Sequence, residues 1–200
     1  MNAVAVQSRV SLILLTEDRF GAATAVRVDR AAGVIRGVKI LGLESRNGPP
    51  PGKERDPKYQ AVRRRIYPRA VLEAAKRLYE GAAVNINHPV NPKDANRDVA
   101  DGFGRLVYVR VEADGLFADL EYLKAHPLAE RVCEAAERMP EQFGLSPHHF
   151  IADGVEGDAL IVTEIGAVAS VDIVRTPATT SGLFEGLMME PEMMKPEDEK

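Results

Sequence analysis

Apolar residues recur along this chain with two spacings, and the switches between them mark its elements. Residues 9–15 form a nearly continuous apolar run and predict a strand. Residues 24–29 and 34–43 predict two more, joined near Ala31-Ala32-Gly33. In the second of these, Val34, Arg36, Val38 and Ile40 take one register, and Ile35, Gly37, Lys39 and Leu41 the other. The spacing then changes to that of a helix over residues 68–80, with Val71, Leu72, Ala75, Leu78 and Tyr79 on one face. Pro68 suits its first turn, where a missing N–H has no helical partner, and Gly81 ends it. A strand over residues 83–87 follows and stops at Pro89.

Residues 103–112 and 116–123 flank Ala113-Asp114-Gly115, a hairpin signal. A helix is expected over residues 127–138, opened by Pro127. Strands over residues 142–151 and 158–164 come next, joined through Asp153-Gly154 and Glu156-Gly157, with a last strand over residues 167–174. Residues 45–58 and 90–101 read as loops, polar and rich in turn-forming residues, and long enough to be mobile. From Gly186 the chain is rich in Met, Glu, Pro and Lys and is expected to be disordered. This order predicts an α+β domain over residues 1–185, a mainly antiparallel sheet or β-barrel with two or three helices, and an acidic tail over residues 186–200.

Three of the apolar segments each hold a polar residue able to do chemistry. They are Val84-Asn85-Ile86-Asn87-His88-Pro89, Phe143-Gly144-Leu145-Ser146-Pro147 and Ala169-Ser170-Val171-Asp172-Ile173-Val174. A serine hydroxyl is a weak nucleophile near neutral pH. An imidazole can take its proton, and a carboxylate can orient the imidazole. His88, Ser146 and Asp172 are therefore the candidate catalytic set of a serine hydrolase. Asp172 lies within an apolar run, and a buried carboxylate needs a partner. Glu164 is an alternative third member. Ser170 shares a strand face with Asp172, and His148 shares one with Ser146, because residues two apart in a strand point the same way. The plainer readings are a strand-capping histidine, a small polar strand serine and an aspartate ion-paired with Arg175 or Arg105. A metal site from His88, His148, His149 and Asp98 or Asp101 lacks the paired spacings such sites use.

Composition narrows the field. The chain has 200 residues, 45% apolar and 28% charged, enough for one core. Its 26 Lys and Arg against 30 Asp and Glu argue against a general nucleic-acid binder. The cluster Arg63-Arg64-Arg65 reads as solvated or paired with acids. The lone cysteine, Cys133, excludes an intramolecular disulfide and reads as a buried structural thiol. No apolar run approaches the roughly 20 residues of a membrane span. The first 15 residues lack the basic region and cleavage site of a signal peptide, so a cytoplasmic protein is expected.

Arg65-Ile66-Tyr67-Pro68, a helix, Asn87-His88-Pro89, Gly144-Leu145-Ser146, and Val171-Asp172-Ile173-Val174 with Pro177-Ala178 follow one another in an order that resembles the prohead (capsid maturation) proteases of tailed phages. The likeness is to the T4-type prohead core protease and, more distantly, to the HK97-type prohead proteases and herpesvirus assemblins; it spans roughly residues 60–180. It implies an assemblin-like β-barrel with surrounding helices and a serine endopeptidase with no cofactor. His88 would be the base, Ser146 the nucleophile and Asp172 the acidic member, with Arg175 as a helper by analogy with the assemblins' arginines. Capsid and scaffold proteins would be the substrates, inside an immature capsid in the host cytoplasm, with self-association among the expectations. Relatives of the T4 type favour cleavage after Glu in a Leu/Ile-x-Glu context, which Leu183-Phe184-Glu185 matches, so self-cleavage after Glu185 is expected. Pro147-His148-His149 departs from the small or basic residues that follow the serine in the family. The rival reading within this setting is a non-catalytic scaffold or assembly protein.

Overall fold

The computed structural model describes residues 27–49, 52–89 and 97–184. The strand expected over residues 9–15 and the tail beyond Gly186 lie outside the described residues. The elements in chain order are β1 (Val28–Asp29), β2 (Val34–Gly42), β3 (Glu44–Ser45), β4 (Arg64–Ile66), α1 (Arg69–Tyr79), β5 (Ala83–Ile86), β6 (Gly102–Glu112), β7 (Gly115–Tyr122), α2 (Ala129–Arg138), β8 (Gly144–Glu156) and β9 (Ala159–Val174). Short 3-10 turns sit at Pro57–Tyr59, Val99–Asp101 and Pro140–Gln142.

The fold is α+β, with most of the structure in one nine-stranded sheet of order β1-β2-β7-β6-β5-β9-β4-β3, and β8 pairs with β9. β8 runs antiparallel along the whole of β9, from Glu156 opposite Ala159 to Gly144 opposite Val174. The other edge of β9 is shared. β4 pairs in parallel with its beginning and β5 in parallel with its end. β9 therefore lies between its hairpin partner and two strands distant in sequence, and its C-terminal end gathers β5 and β8 on either side.

Two expectations change here. The closed barrel is not formed among the described residues: the ladders end at β1 and β3. The chain after β9 runs back past β2 and the end of β3, with Lys39 N on β2 donating to Leu183 O at 2.8 Å and Arg46 N, just after β3, to Ala178 O at 3.2 Å. Also, the three strands expected over residues 142–174 are two long ones. They meet at Gly157-Asp158, where Gly157 adopts φ 60°. Asp153-Gly154 and Gly166 stay within strands because register shifts along the hairpin absorb them. Continuous pairing outweighs local turn preference.

α1 packs against β6 and β9. It buries Leu72, Ala75 and Tyr79, while Leu78 is 42% exposed, so its apolar face is narrower than the spacing implied. Gly81, at φ 76°, closes the helix as a left-handed residue that lacks a Cβ penalty. α2 buries Ala129, Val132, Cys133 and Ala136. Each fully buried Leu or Ile of this core contributes roughly 1.5–3 kcal/mol of burial free energy. No helix among the described residues is long and apolar enough to cross a membrane.

Candidate active site

The end of β9 sets the site. Asp172 has two in-register neighbours, Ser146 on β8 and Asn85 on β5. Residues directly opposite in a ladder share a face, so Asn85, Asp172 and Ser146 form a polar row across three strands. Leu145, Val171, Ile173 and Val84 occupy the opposite face and belong to the core. The alternation that buries the apolar set thus delivers the polar set together.

His88 reaches this row through a kink. Asn87 sits at φ 61°, a left-handed conformation that Asn tolerates better than most residues. Its N–H still donates to Ile173 O at 2.9 Å, which holds the kink against β9. Beyond it, His88 Nδ1 lies 2.8 Å from Asp172 Oδ2. With the carboxylate as acceptor, Nδ1 carries the proton and Nε2 keeps its lone pair. The His88 side chain is 53% exposed, whereas that of Asp172 is fully buried. The imidazole can therefore meet a substrate while its orienting partner stays dry.

Asp172 has four polar neighbours. Oδ2 accepts from His88; Oδ1 accepts from Asn85 Nδ2 at 3.3 Å and from Ser170 Oγ at 3.1 Å. Arg97 Nη1 lies 4.0 Å from Oδ2. Burial pushes the carboxyl up, but the His88 and Asn85 hydrogen bonds, the Arg97 charge and the Ser170 hydroxyl outweigh it and hold it below the ordinary aspartate value. It is an ionised group whose field is directed at the imidazole.

A cavity of about 340 Å³ lies beside Ser146, lined also by Arg65, Tyr67, His148, His149, Asn47 and Thr179. Of these, His149 is held by two tyrosines. Tyr79 OH is 2.7 Å from Nδ1 and Tyr67 OH 3.3 Å from Nε2, so both ring nitrogens are engaged. Burial, with the charges of Arg65 and His148, pushes His149 down to about 4. It is a neutral structural histidine at pH 7. A larger groove of about 610 Å³ runs between α2 and the ends of β5 and β9 and meets the site at Asn87.

The remaining candidates separate. Ser170 contacts Asp172 directly. His148 lines the Ser146 cavity and stacks on Phe150, ring centroids 6.2 Å apart. Arg175 is exposed just past β9 and lines the larger groove. Glu164 pairs with Ala152 far along the hairpin, about 25 Å from Asp172 at strand rise, and is exposed. Glu185 lies outside the described residues. Asp98 caps the turn at residues 99–101, and Asp101 Oδ2 is 3.5 Å from Arg97 Nε. Among the described residues no His, Cys, Asp and Glu form a group of three that could hold a metal. Arg64 of the basic cluster pairs with Glu44 at 3.3 Å and Asp158 at 3.4 Å.

Two residues of the site escaped the sequence reading. Asn85 carried a signal, since a carboxamide inside an apolar strand needs a partner. Arg97 carried none, because it sits in a polar stretch where an arginine is ordinary.

No protein-family model matches the chain, and no curated protein matches it. Among solved structures it is similar to the bacteriophage T4 capsid assembly protease, at 18% identity and a TM-score of 0.46, over 72% of this chain and 91% of that one. That score is too low for the likeness to carry functional weight.

Proposed function

We propose that this chain is a serine endopeptidase that cleaves capsid and scaffold proteins, and itself, inside an immature phage capsid. The observation that carries the chemistry is the 2.8 Å contact from His88 Nδ1 to the buried Asp172 carboxylate, with Ser146 directly across the ladder from that aspartate. The ordered Tyr-Pro, Asn-His-Pro and Gly-Leu-Ser segments support the capsid setting through their resemblance to prohead proteases.

In the proposed reaction Ser146 Oγ attacks the scissile carbonyl carbon and His88 Nε2 takes its proton. Asp172 stabilises the imidazolium without accepting its proton. The tetrahedral intermediate collapses to an acyl-enzyme as His88 protonates the leaving amine. Water then repeats the sequence and frees Ser146. Pro147 has no N–H, so the oxyanion must be met by other backbone donors near the nucleophile.

Labelling with a serine-reactive fluorophosphonate, followed by peptide mapping, tests the assignment in assembled particles as well as in free protein. Modification confined to Ser146 and lost in His88→Ala is expected. Capsid proteins co-expressed with Ser146→Ala should stay unprocessed; unchanged processing would leave a scaffold role. Intact mass after incubation tests self-cleavage: a fragment ending at Glu185 is expected from the parent chain and not from Ser146→Ala.

A further inference from the structure

Arg97 makes contacts that a surface arginine does not. Its side chain is 15% exposed. Nη2 donates to Ile86 O at 3.1 Å and to Asn87 O at 2.7 Å, the two carbonyls immediately before His88. Nη1 and Nε are buried and make no hydrogen bond. They nevertheless face negative charge. Nη1 lies 4.0 Å from Asp172 Oδ2, the oxygen that holds His88, and Nε lies 3.5 Å from Asp101 Oδ2. The guanidinium therefore grips the backbone that aims the imidazole with one nitrogen and faces the orienting carboxylate with another.

We propose that Arg97 is a positioning residue of the active site, fixing the kink at Asn87 and keeping Asp172 charged while His88 is neutral. The inference rests on the hydrolase reading for its catalytic consequence. Charge supply around the carboxylate singles out this residue. Ser170 and Asn85 offer Asp172 only neutral donors, and Ser146 is neutral as well. His88 carries a charge only when protonated, and a protonated His88 cannot act as the base. His148, two residues along from Ser146, and Arg65, a cation lining the same cavity, also lie near that face, but the ion pairs of Asp172 within 4.0 Å among the described residues are to His88 and Arg97. Arg97 is thus the permanent cation facing the carboxylate among the described residues. It does so without a direct hydrogen bond, which leaves Oδ2 to His88.

The test separates the grip from the charge. Arg97→Gln removes the charge; Arg97→Lys keeps a charge and loses the planar fork that spans two carbonyls. For Arg97→Gln, kcat on a peptide substrate should fall about 10–100-fold, by analogy with the loss of residues that orient metal-bound histidines, with KM within about twofold. Guanidinium ions should restore part of the activity of Arg97→Ala. In an Asp172→Asn background, where no carboxylate remains to be stabilised, Arg97→Gln should cost much less than in the parent, so the two substitutions are non-additive. Equal losses in both backgrounds would overturn the charge role and leave a purely structural clamp.

A readout independent of turnover distinguishes this idea from the peptidase proposal. The 13C carboxyl resonance of Asp172, assigned by its loss in Asp172→Asn, should titrate at higher pH in Arg97→Gln than in the parent, with Arg97→Lys between them. An unchanged midpoint would sink the inference whether or not the protein cleaves peptides. A shifted midpoint in a chain that cleaves nothing would sustain the pairing and count against the peptidase.

Discussion

At the scale of single residues, Asp172 decides the character of the site. It is a carboxylate with no solvent exposure, held by an imidazole, a carboxamide and a hydroxyl, with a guanidinium at 4.0 Å. Asp172→Asn keeps the shape but presents an amide where His88 needs an acceptor, which favours the wrong tautomer. On the proposed function, kcat should drop about 10⁴-fold, the scale of the corresponding change in other triads; hydrolysis of a labelled peptide measures it. His149 makes the opposite kind of statement. Its folded value of about 4 lies below the 6.5 of the unfolded chain, so the unfolded state binds more protons in acid. Its contribution is fully present above about pH 6.5 and is lost as pH falls towards 4, about 3 kcal/mol in all. Urea melts between these pH values should show that slope, and His149→Phe, which cannot protonate, should flatten it. His149 also shows that neighbours in sequence can serve different ends. His148 lines the cavity edge, while His149 turns inward to Tyr67 and Tyr79.

At the scale of elements, the site depends on where strands stop. β5 ends at Ile86, and the left-handed Asn87 redirects the chain so that His88 leaves the ladder above Asp172. Asn87→Gly should be tolerated, since Gly reaches that conformation freely, whereas Asn87→Val should lower stability by about 1–3 kcal/mol and weaken catalysis further by misplacing the ring. Thermal melts with parallel rate measurements would separate the two effects. Gly144 has a related role on β8. A Cβ there would sit 2.9 Å from the Pro177 ring and 3.1 Å from Gly182 O, so the small residue two positions before Ser146 admits the returning chain against the strand. The two helices, the 103–123 hairpin and β5 were legible because spacing and turn residues agree with burial over those stretches. The continuity of β8 and β9 was not. Asp153-Gly154 and Gly166 look like breaks locally, yet ladder bonds along 13 and 16 residues carry the strands through them.

At the scale of the molecule, the segment after β9 completes the domain. Leu183 is 1% exposed; its N–H donates to Pro140 O and its carbonyl accepts from Lys39 N, both at 2.8 Å. It links the turn after α2 to β2 along an edge that would otherwise be open. Leu183→Ala should cost about 2–5 kcal/mol, as for other buried leucines, and lower the melting temperature of the whole unit in one transition.

By itself the chain determined its periodic elements and the presence of His88, Ser146 and Asp172 within apolar runs. These are local properties, written in side-chain spacing and in the cost of burying a charge. Only the tertiary structure decided that β5 and β8 flank the same end of β9, that Arg97 closes on the carboxylate, and that Glu164 stands far from it. Those outcomes depend on pairing between segments up to about 90 residues apart, and such pairing is fixed by the packing of a shared core, which no local stretch of sequence contains.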